Sequence, residues 1–486
     1  MSDLKRKGLA ALLWEVLGKF SGQSVSFVVT LVLARLLEPE DFGLIALVMV
    51  VVGIAEIFSD AGLGSALIQR RHVRPVHFSS VFYFNVTAGL FLTLVTVAAA
   101  PWIARFYGAE SLSPLLQAAA PLFIVQSLAT TQRVRLRKGL RYRLIAVSDF
   151  SGALAGGGAG IALAYMGYGP WALVAQVMVT SLVAALALWT GSDWRPRRAF
   201  SVKALRQLWG FGGRMFLAGL IDRVYTRLDY VVIGRLFPMD VLGFFQRAKA
   251  VTLLANNYMA GSLISVLFPV LSTVQRSPQR FRDIVEKMLG LVAFVSFAAF
   301  SLIHIFAAEV IRILYSAKWL PAADYLALLA LSALLFPVNA VLVSVLSSRG
   351  RSRAFLRLDV YKKIFGLGNL LLGFHFGIRG YLMGLIIVSV IATLINGAAA
   401  TRELGGSLWG LLSPVLELAL YALAAIGAVR LFVYLSPAHA PWVLAGKLLV
   451  LAGVYLLLNA LFKTRAFFTA RQELLALWGK GWGIRA

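Results

Sequence analysis

Runs of about twenty apolar residues recur from one end of this chain to the other, separated by short turns rich in Gly, Pro, Lys and Arg. A helix rises about 1.5 Å per residue and the hydrocarbon core of a bilayer is about 30 Å thick, so each run is as long as a membrane is wide. Hydrophobic residues make up 60% of the 486 residues and charged ones only 14%. A soluble globular domain carries roughly 25% charged residues, so a water-soluble enzyme is excluded. About fourteen spans are predicted, at residues 12–35, 43–68, 79–104, 112–132, 144–166, 170–190, 210–234, 241–273, 284–308, 324–347, 360–376, 380–400, 414–435 and 442–462. The expected fold is all-α and polytopic. The first span is read as retained, because no compact apolar segment with a small-residue cleavage site follows Lys5, Arg6 and Lys7.

The chain has no cysteine, which removes disulfides, thiolate metal sites and cysteine nucleophiles together. Its five histidines show no metal-like spacing, so neither a metal nor a cofactor is expected. The formal net charge of +26 would suggest nucleic acid on a soluble chain. Here the basic residues alternate in number from one side of the spans to the other. One side holds Lys5 to Lys7, Arg70, Arg71 and Arg74, the cluster Arg133, Arg135, Arg137, Lys138, Arg141 and Arg143, then Arg195 to Arg206, Arg276 to Arg282, Arg349 to Lys363, Arg402 and the tail residues Lys463, Arg465, Arg471, Lys480 and Arg485. The other holds only Arg35, Arg105, Arg235, Arg312, Lys318 and Arg379. About 32 against about 6 places both termini in the cytoplasm and accounts for most of the excess charge, so nucleic acid is not needed as a partner. Trp102, Trp171, Trp319 and Trp442 fall at outer ends of the spans, and Trp14, Trp189, Trp194, Trp209, Trp409, Trp478 and Trp482 at or beyond inner ends, as indole rings prefer.

The two halves of the chain resemble each other. VLARLLEPEDFG at 32–43 aligns without a gap with VIGRLFPMDVLG at 232–243, so that Arg35, Leu36 and Gly43 recur as Arg235, Leu236 and Gly243. RFY at 105–107 answers RILY at 312–315, Pro121 and Arg133 answer Pro337 and Arg349, and the GYG turn at 167–169 answers 377–380. Each repeat holds an even number of spans and therefore keeps the same orientation: two parallel six-helix lobes related by an axis along the membrane normal. The expected organisation is a first lobe at 1–200, a second at 201–402, and a terminal helix pair with a cytoplasmic tail at 403–486. The basic stretch GSDWRPRRAFSVKALRQ at 191–207 is the joint.

Some basic side chains fall inside spans, where a charge at mid-bilayer costs at least about 2.5–3.5 kcal/mol unless it meets water or a partner. Lys287, Arg430 and Lys447 lie near span ends and are expected to snorkel. The rest gather in the first, seventh and eighth spans. At about 100° per residue from Asp222, the seventh places Asp229 near −20°, Thr226 near 40°, Tyr230 near 80°, Arg223 near 100° and Arg227 near 140°, opposite Ile221, Val224, Leu228, Val231 and Val232. Arg214 falls on the far side, near −80°. In the first span Glu15, Lys19, Gln23, Ser26 and Thr30 share one stripe, expected to meet that of the seventh. The eighth offers Lys249, Thr252 and Asn256 on one face with Arg247 near its end, and the second offers Glu56 and Asp60 at i, i+4. Pairing within these groups neutralises some of them. Cations still outnumber carboxylates in the seventh and eighth spans, so a cationic cavity lined by Arg223, Arg227, Arg247, Lys249, Lys19 and Arg214 is expected to receive an anion. Guanidinium groups suit phosphate oxygens bidentately. Asp222, Asp229, Glu56 and Asp60 are the carboxylates that could couple transport to H+ or Na+.

GALAGGGAG at 152–160 lacks the Lys-Ser/Thr of a phosphate loop and sits in an apolar span, so close packing through small residues is the expected role. Phe467, Leu474 and Trp478 have helical spacing, which predicts a short helix on the inner surface. The outer connections are too short for a catalytic domain, and no acidic metal cluster of a glycosyltransferase is present. No enzyme is expected.

The stretch LARLLEPEDFGLIALVMVVVGIAEIFSDAGLGSALIQR at 33–70 resembles the signature of the Wzx-like polysaccharide transporters of the multidrug/oligosaccharidyl-lipid/polysaccharide superfamily, in particular the colanic-acid-exporter branch. GYGPWALV at 167–174, LYSAKWLPAADYL at 314–326 and the basic loop before the eleventh span are similar to it too. The resemblance implies a fourteen-helix bacterial inner-membrane flippase with two six-helix lobes and a terminal pair. It implies as substrate an undecaprenyl-diphosphate-linked oligosaccharide repeat unit moved between leaflets by alternating access. Membrane lipids, and the polysaccharide polymerase and chain-length machinery, are the other partners implied. The alternatives are an ion-coupled drug or metabolite antiporter of the same superfamily, which would prefer carboxylates in its cavity, and a membrane enzyme of envelope polysaccharide assembly, which would need an acid/base constellation at one interface.

Overall fold

The computed structural model describes residues 2–436 and 442–481. Of the residues named above, Trp482 and Arg485 lie outside the described residues, as do the side chains of Lys5, Arg6, Lys7, Arg353, Leu474, Trp478 and Lys480. No strand occurs among the described residues. The helices in chain order are α1 (Ser2–Leu36), α2 (Pro39–Asp60), α3 (Leu63–Gln69), α4 (Pro75–Tyr107), α5 (Leu112–Ala119), α6 (Leu122–Lys138), α7 (Tyr142–Tyr165), α8 (Pro170–Gly191), α9 (Val202–Leu236), α10 (Met239–Val274), α11 (Pro278–Ile305), α12 (Ala307–Leu314), α13 (Pro321–Ala333), α14 (Phe336–Ser348), α15 (Ser352–Gly373), α16 (Gly377–Leu404), α17 (Leu408–Leu435), α18 (Trp442–Leu461) and α19 (Arg465–Gly481).

Eleven helical segments among the described residues are long and apolar enough to cross a membrane, and this is a multi-pass membrane protein. One of the eleven, Phe355–Leu404, contains both α15 and α16. The basic α9 and the long α10, at 35 and 36 residues, are not among them despite their length.

The repeat read from the sequence reappears in the helix boundaries. α1 and α9 are both 35 residues long and end at Leu36 and Leu236, and α2 and α10 begin at Pro39 and Met239. α4 and α11 each open with a proline in the first turn, where its missing N–H costs nothing. Two of the spans expected as single helices are each broken in two by a proline, at Pro121 between α5 and α6 and at Pro337 where α14 begins. A proline ring cannot accept a helical residue four positions earlier, so the break falls where the sequence repeats. The GYG turn joins α7 to α8 through Gly167 and Gly169 with φ of +80° and +53°, and its counterpart Gly377 has φ of +76°. Only glycine adopts these angles without strain.

The second expected span is interrupted as well. Ala61 and Gly62 both lie in the left-handed region, with φ of +46° and +71°, and the helix restarts as α3. A Cβ on Gly62 would strike the Gly212 carbonyl, so the chain can turn here only with glycine at that place. Lys138 closes the other end of α3 by donating to the carbonyls of Leu67, Ile68 and Arg70 at 2.7, 3.2 and 2.5 Å.

The chain packs as two compact units. The first comprises Met1–Gln246 with Leu314–Lys318, the second Arg247–Ile313 with Trp319–Ala486. In the first, α7 packs along both α1 and α8, and α9 packs on α2, α3 and α4. Gly152, Gly156 and Gly160 make the α7–α8 approach possible: Cβ atoms there would press on Thr180 or Gln176 of α8, the Gly152 one 2.6 Å from the Thr180 carbonyl oxygen. This is the small-residue packing expected of GALAGGGAG. The joint at 191–207 is pinned to its neighbours: Ser79 Oγ and Ser80 Oγ accept from the backbone N–H groups of Arg197 and Ser201, each at 2.9 Å, and Gln132 Nε2 donates to the Trp194 carbonyl at 3.1 Å.

The second unit has its core between α11, α14 and α17, around Phe281, Leu289, Phe297, Val341, Val345 and Leu418, all at most 2% exposed. Of the basic residues near span ends, Arg430 is exposed, whereas Lys447 is half-buried. Arg430 donates to His304 Nε2 at 3.1 Å, while His304 Nδ1 meets the Ala327 carbonyl at 2.9 Å. Lys447 pairs with Glu309 at 2.6 Å. α19 forms as expected, but it lies along α11, where Phe467 meets Phe294 edge-on, Ala466 joins the core, and Glu473 pairs with Lys287 at 2.8 Å.

Candidate functional site

The site expectations fall on four helices, of which α1, α2 and α9 belong to the first unit. α9 runs antiparallel to α2. Gly234 packs on Leu47, Arg227 lies beside Gly53, Phe216 meets Phe58 edge-on at 5.2 Å, and Gly212 approaches Gly62. Glycine on one helix at each of three of these points lets the backbones come close, and at Gly53 it leaves room for a guanidinium whose nearest nitrogen would be 3.9 Å from a Cβ.

That guanidinium belongs to Arg227. It is half-buried and stands over the Tyr230 ring at 5.6 Å, a cation–π contact worth about 0.5–2 kcal/mol. Arg223 and Arg214 are exposed. None of the three arginines makes an ion pair with a carboxylate among the described residues. Of the α9 acids, Asp222 is exposed, while Asp229 is 7% exposed and accepts the Tyr230 backbone N–H at 2.9 Å. The polar face of the helical wheel therefore divides into a buried edge at Asp229 and Tyr230 and an open edge at Asp222, Arg223 and Thr226.

Lys19 stands apart from this set. α1 packs along α7, with Gly18 against Ala146 and Val29 against Gly157, and its stripe of Lys19, Gln23 and Ser26 is exposed on the side away from α7. The expected meeting of this stripe with α9 is not a principal packing of α1. Lys19 is paired with Glu15 at 2.7 Å and its side chain is 76% exposed.

On α2 the two carboxylates have different surroundings. Glu56 is exposed and makes no ion pair among the described residues. Asp60 ends the helix, accepts the Gly64 backbone N–H at 3.0 Å across the break, and is hydrogen-bonded by the Asn85 side chain. Asp60 is thus a cap for α3, which the sequence spacing alone did not reveal. In the second unit Arg247 and Lys249 are half-buried on α10, on which Thr252 and Asn256 are 6% and 7% exposed. Among the described residues no group of three or more His, Asp or Glu side chains could hold a metal.

The sequence reading missed the Arg227–Tyr230 stack, although the i, i+3 spacing of a cation and an aromatic was there to be read. It also missed Asn85, for which no local signal existed, and the Arg235 guanidinium over the Phe106 ring at 5.4 Å.

The chain matches the model of a family described as polysaccharide biosynthesis protein over residues 32–324. The lipopolysaccharide biosynthesis protein WzxC of Escherichia coli (strain K12) is 23% identical over 410 residues, which cover 83% of this chain and 83% of that protein. The succinoglycan biosynthesis transport protein ExoT of Rhizobium meliloti (strain 1021) is 28% identical over 323 residues, 66% of this chain and 65% of that protein. Among solved structures, the lipid II flippase MurJ in an inward closed conformation is similar with a TM-score of 0.73 at 14% identity, over 93% of this chain and 98% of that one. An inward-facing multidrug resistance MATE family transporter of the MOP superfamily is similar with a TM-score of 0.61 at 17% identity, over 79% of this chain and 98% of that one. At such identities the structural likeness shows a shared fold.

Proposed function

This chain belongs to the polysaccharide biosynthesis protein family, and on that premise we propose that it is a flippase for lipid-linked oligosaccharides, carrying polyprenyl-diphosphate-linked repeat units across the bacterial inner membrane by alternating access. It is a transporter and not an enzyme. The observation that carries the reading is the set Arg214, Arg223 and Arg227 on a 35-residue helix, with no carboxylate partner among the described residues. A guanidinium held at membrane depth needs water or an anion. The diphosphate of a lipid carrier provides that anion, in a geometry that arginine binds bidentately.

The working parts are the repeat lobes 1–200 and 201–402 with the terminal pair and tail at 403–486, fourteen spans in all, and both termini lie in the cytoplasm, as the Lys and Arg asymmetry favours. The glycan occupies the hydrated side of the cationic surface and the prenyl chain stays in the bilayer. A proton or sodium ion drives the cycle through one of Asp222, Asp229, Glu56 and Asp60. Glu56 is best placed, being exposed without an ionic partner, whereas Asp60 is engaged in capping α3. Repeat units leave for the polymerase and chain-length machinery on the outer side.

The test replaces Arg223 and Arg227 together by Gln in a strain that depends on this protein for surface polysaccharide. Charge-assisted hydrogen bonds are worth about 1.5–3 kcal/mol each, so the pair should lower export about 100-fold while membrane-inserted protein persists and lipid-linked repeat units accumulate inside. Normal export by the double variant would remove the basis of the proposal.

A further inference from the structure

A cleft of about 480 Å³ opens in the second unit where the start of α17, the first half of α11 and the turn from α18 into α19 converge. Six charged side chains line it. Two are neutralised locally: Glu286 by Arg282 at 2.6 Å and Lys287 by Glu473 at 2.8 Å. The other four are not. Asp283 accepts only from the neutral Gln279, at 3.1 Å, and Glu417 only from the Tyr421 hydroxyl, at 2.6 Å. Lys463 and Arg465 make no ion pair or side-chain hydrogen bond among the described residues. Two carboxylates and two cations thus share one cleft, and no ion pair joins them.

On a chain with 47 Lys and Arg against 21 Asp and Glu, a place with as many acids as bases is unusual, and it disfavours a purely anionic ligand. Opposite charges held apart across a cleft are complementary to a ligand that is itself a zwitterion. Its phosphate would meet Lys463 and Arg465, and its ammonium Asp283 and Glu417. The remaining wall is apolar. Leu411, Pro414 and Leu418 form one side, and Phe462, stacked on Tyr421 at 5.5 Å, another. The cleft also sits where the membrane-spanning α18 ends and α17 begins, at the level of a lipid headgroup.

We propose that the cleft between α11, α17 and the α18–α19 turn binds the aminophosphate headgroup of a zwitterionic phospholipid, as in phosphatidylethanolamine. The lipid's glycerol and first chain methylenes lie on the apolar wall, and α19 is held against α11 above it by the Lys287–Glu473 pair. The same chemistry could reach the site from a soluble aminophosphate; the apolar wall assigns it to the lipid.

The experiment uses the purified full-length protein in detergent, titrated with defined lipids, with bound lipid counted by native mass spectrometry. Phosphatidylethanolamine should bind about tenfold more tightly than phosphatidylcholine, whose trimethylated amine cannot donate hydrogen bonds, and than anionic phosphatidylglycerol. Asp283→Asn combined with Glu417→Gln should abolish the preference over phosphatidylcholine. The lipid series on the unaltered protein decides the question by itself if the variant misfolds. Equal or tighter binding of phosphatidylglycerol would overturn the proposal, and glycerophosphoethanolamine competing as well as the lipid would overturn the assignment to a lipid.

Discussion

Gly43 and Gly243 stand in reciprocal positions. A Cβ on Gly43 would strike the carbonyl of Met239 at the start of α10, a Cβ on Gly243 would strike the carbonyl of Pro39 at the start of α2, and the latter would lie 3.3 Å from the Gly43 nitrogen. Residues 39 and 239, like 43 and 243, are equivalents in the gapless alignment of the repeats. Each helix therefore offers its second-turn glycine to the other's first turn, as a local two-fold requires.

Replacing either glycine by Ala sets a methyl against backbone that cannot move aside, at a cost of about 1–3 kcal/mol. Because the positions are equivalent, Gly43→Ala and Gly243→Ala should lower the thermal unfolding midpoint by similar amounts. A loss at one site alone would show that the local symmetry has no energetic counterpart.

The glycine run of α7 makes a sharper contrast. At Gly156 a Cβ would stand 2.5 Å from the Gln176 carbonyl oxygen, whereas nothing lies within 4 Å of one at Gly158. Gly156→Ala should destabilise by about 1–3 kcal/mol, while Gly158→Ala should stabilise by about 0.5–1 kcal/mol through a stiffer helix. Thermal unfolding of the two variants side by side checks the difference in sign.

Lys447 and Glu309 form a pair whose side chains are only 18% and 27% exposed. Glu309→Gln leaves an ammonium in a poorly hydrated place and should cost about 3 kcal/mol. Glu309→Leu with Lys447→Met removes both charges and should recover most of that loss. A four-way comparison of unfolding midpoints reads the coupling; additive losses would mean that the pair is not formed in the membrane.

Asp60 separates two roles in one residue. Asp60→Asn keeps an oxygen for the Gly64 N–H and should fold normally, whereas Asp60→Ala removes the cap of α3 and should cost about 0.5–2 kcal/mol. Glu56→Gln should remove the dependence of transport on the proton or sodium gradient, while Asp60→Asn should retain it. Vesicle uptake under imposed gradients measures both.

Much of this was legible along the chain. Apolar run length and the offset of 200 between Arg35 and Arg235 are one-dimensional patterns, and the offset survives in helix boundaries that match to the residue at Leu36 and Leu236. The arginine face of α9 was legible for the same reason, since a helical wheel needs only position and the pitch of about 3.6 residues per turn. The break at Ala61 and Gly62 was missed although Ser59, Asp60, Gly62 and Gly64 mark it, because the apolar run resumes directly beyond and makes the two helices read as one span.

What the sequence determined by itself is the solvent, the helical class and the repeat, all properties of composition and spacing. The tertiary structure decided which charged side chains find a partner and whether that partner is an opposite charge or a neutral acceptor. Lys447 finds Glu309 138 residues away, Arg430 finds His304 126 residues away, and Lys138 finds carbonyls about 70 residues back, while Arg223 finds no carboxylate among the described residues. Electrostatic pairing acts over a few ångströms of space, and distance along the chain carries no record of it until the helices are packed.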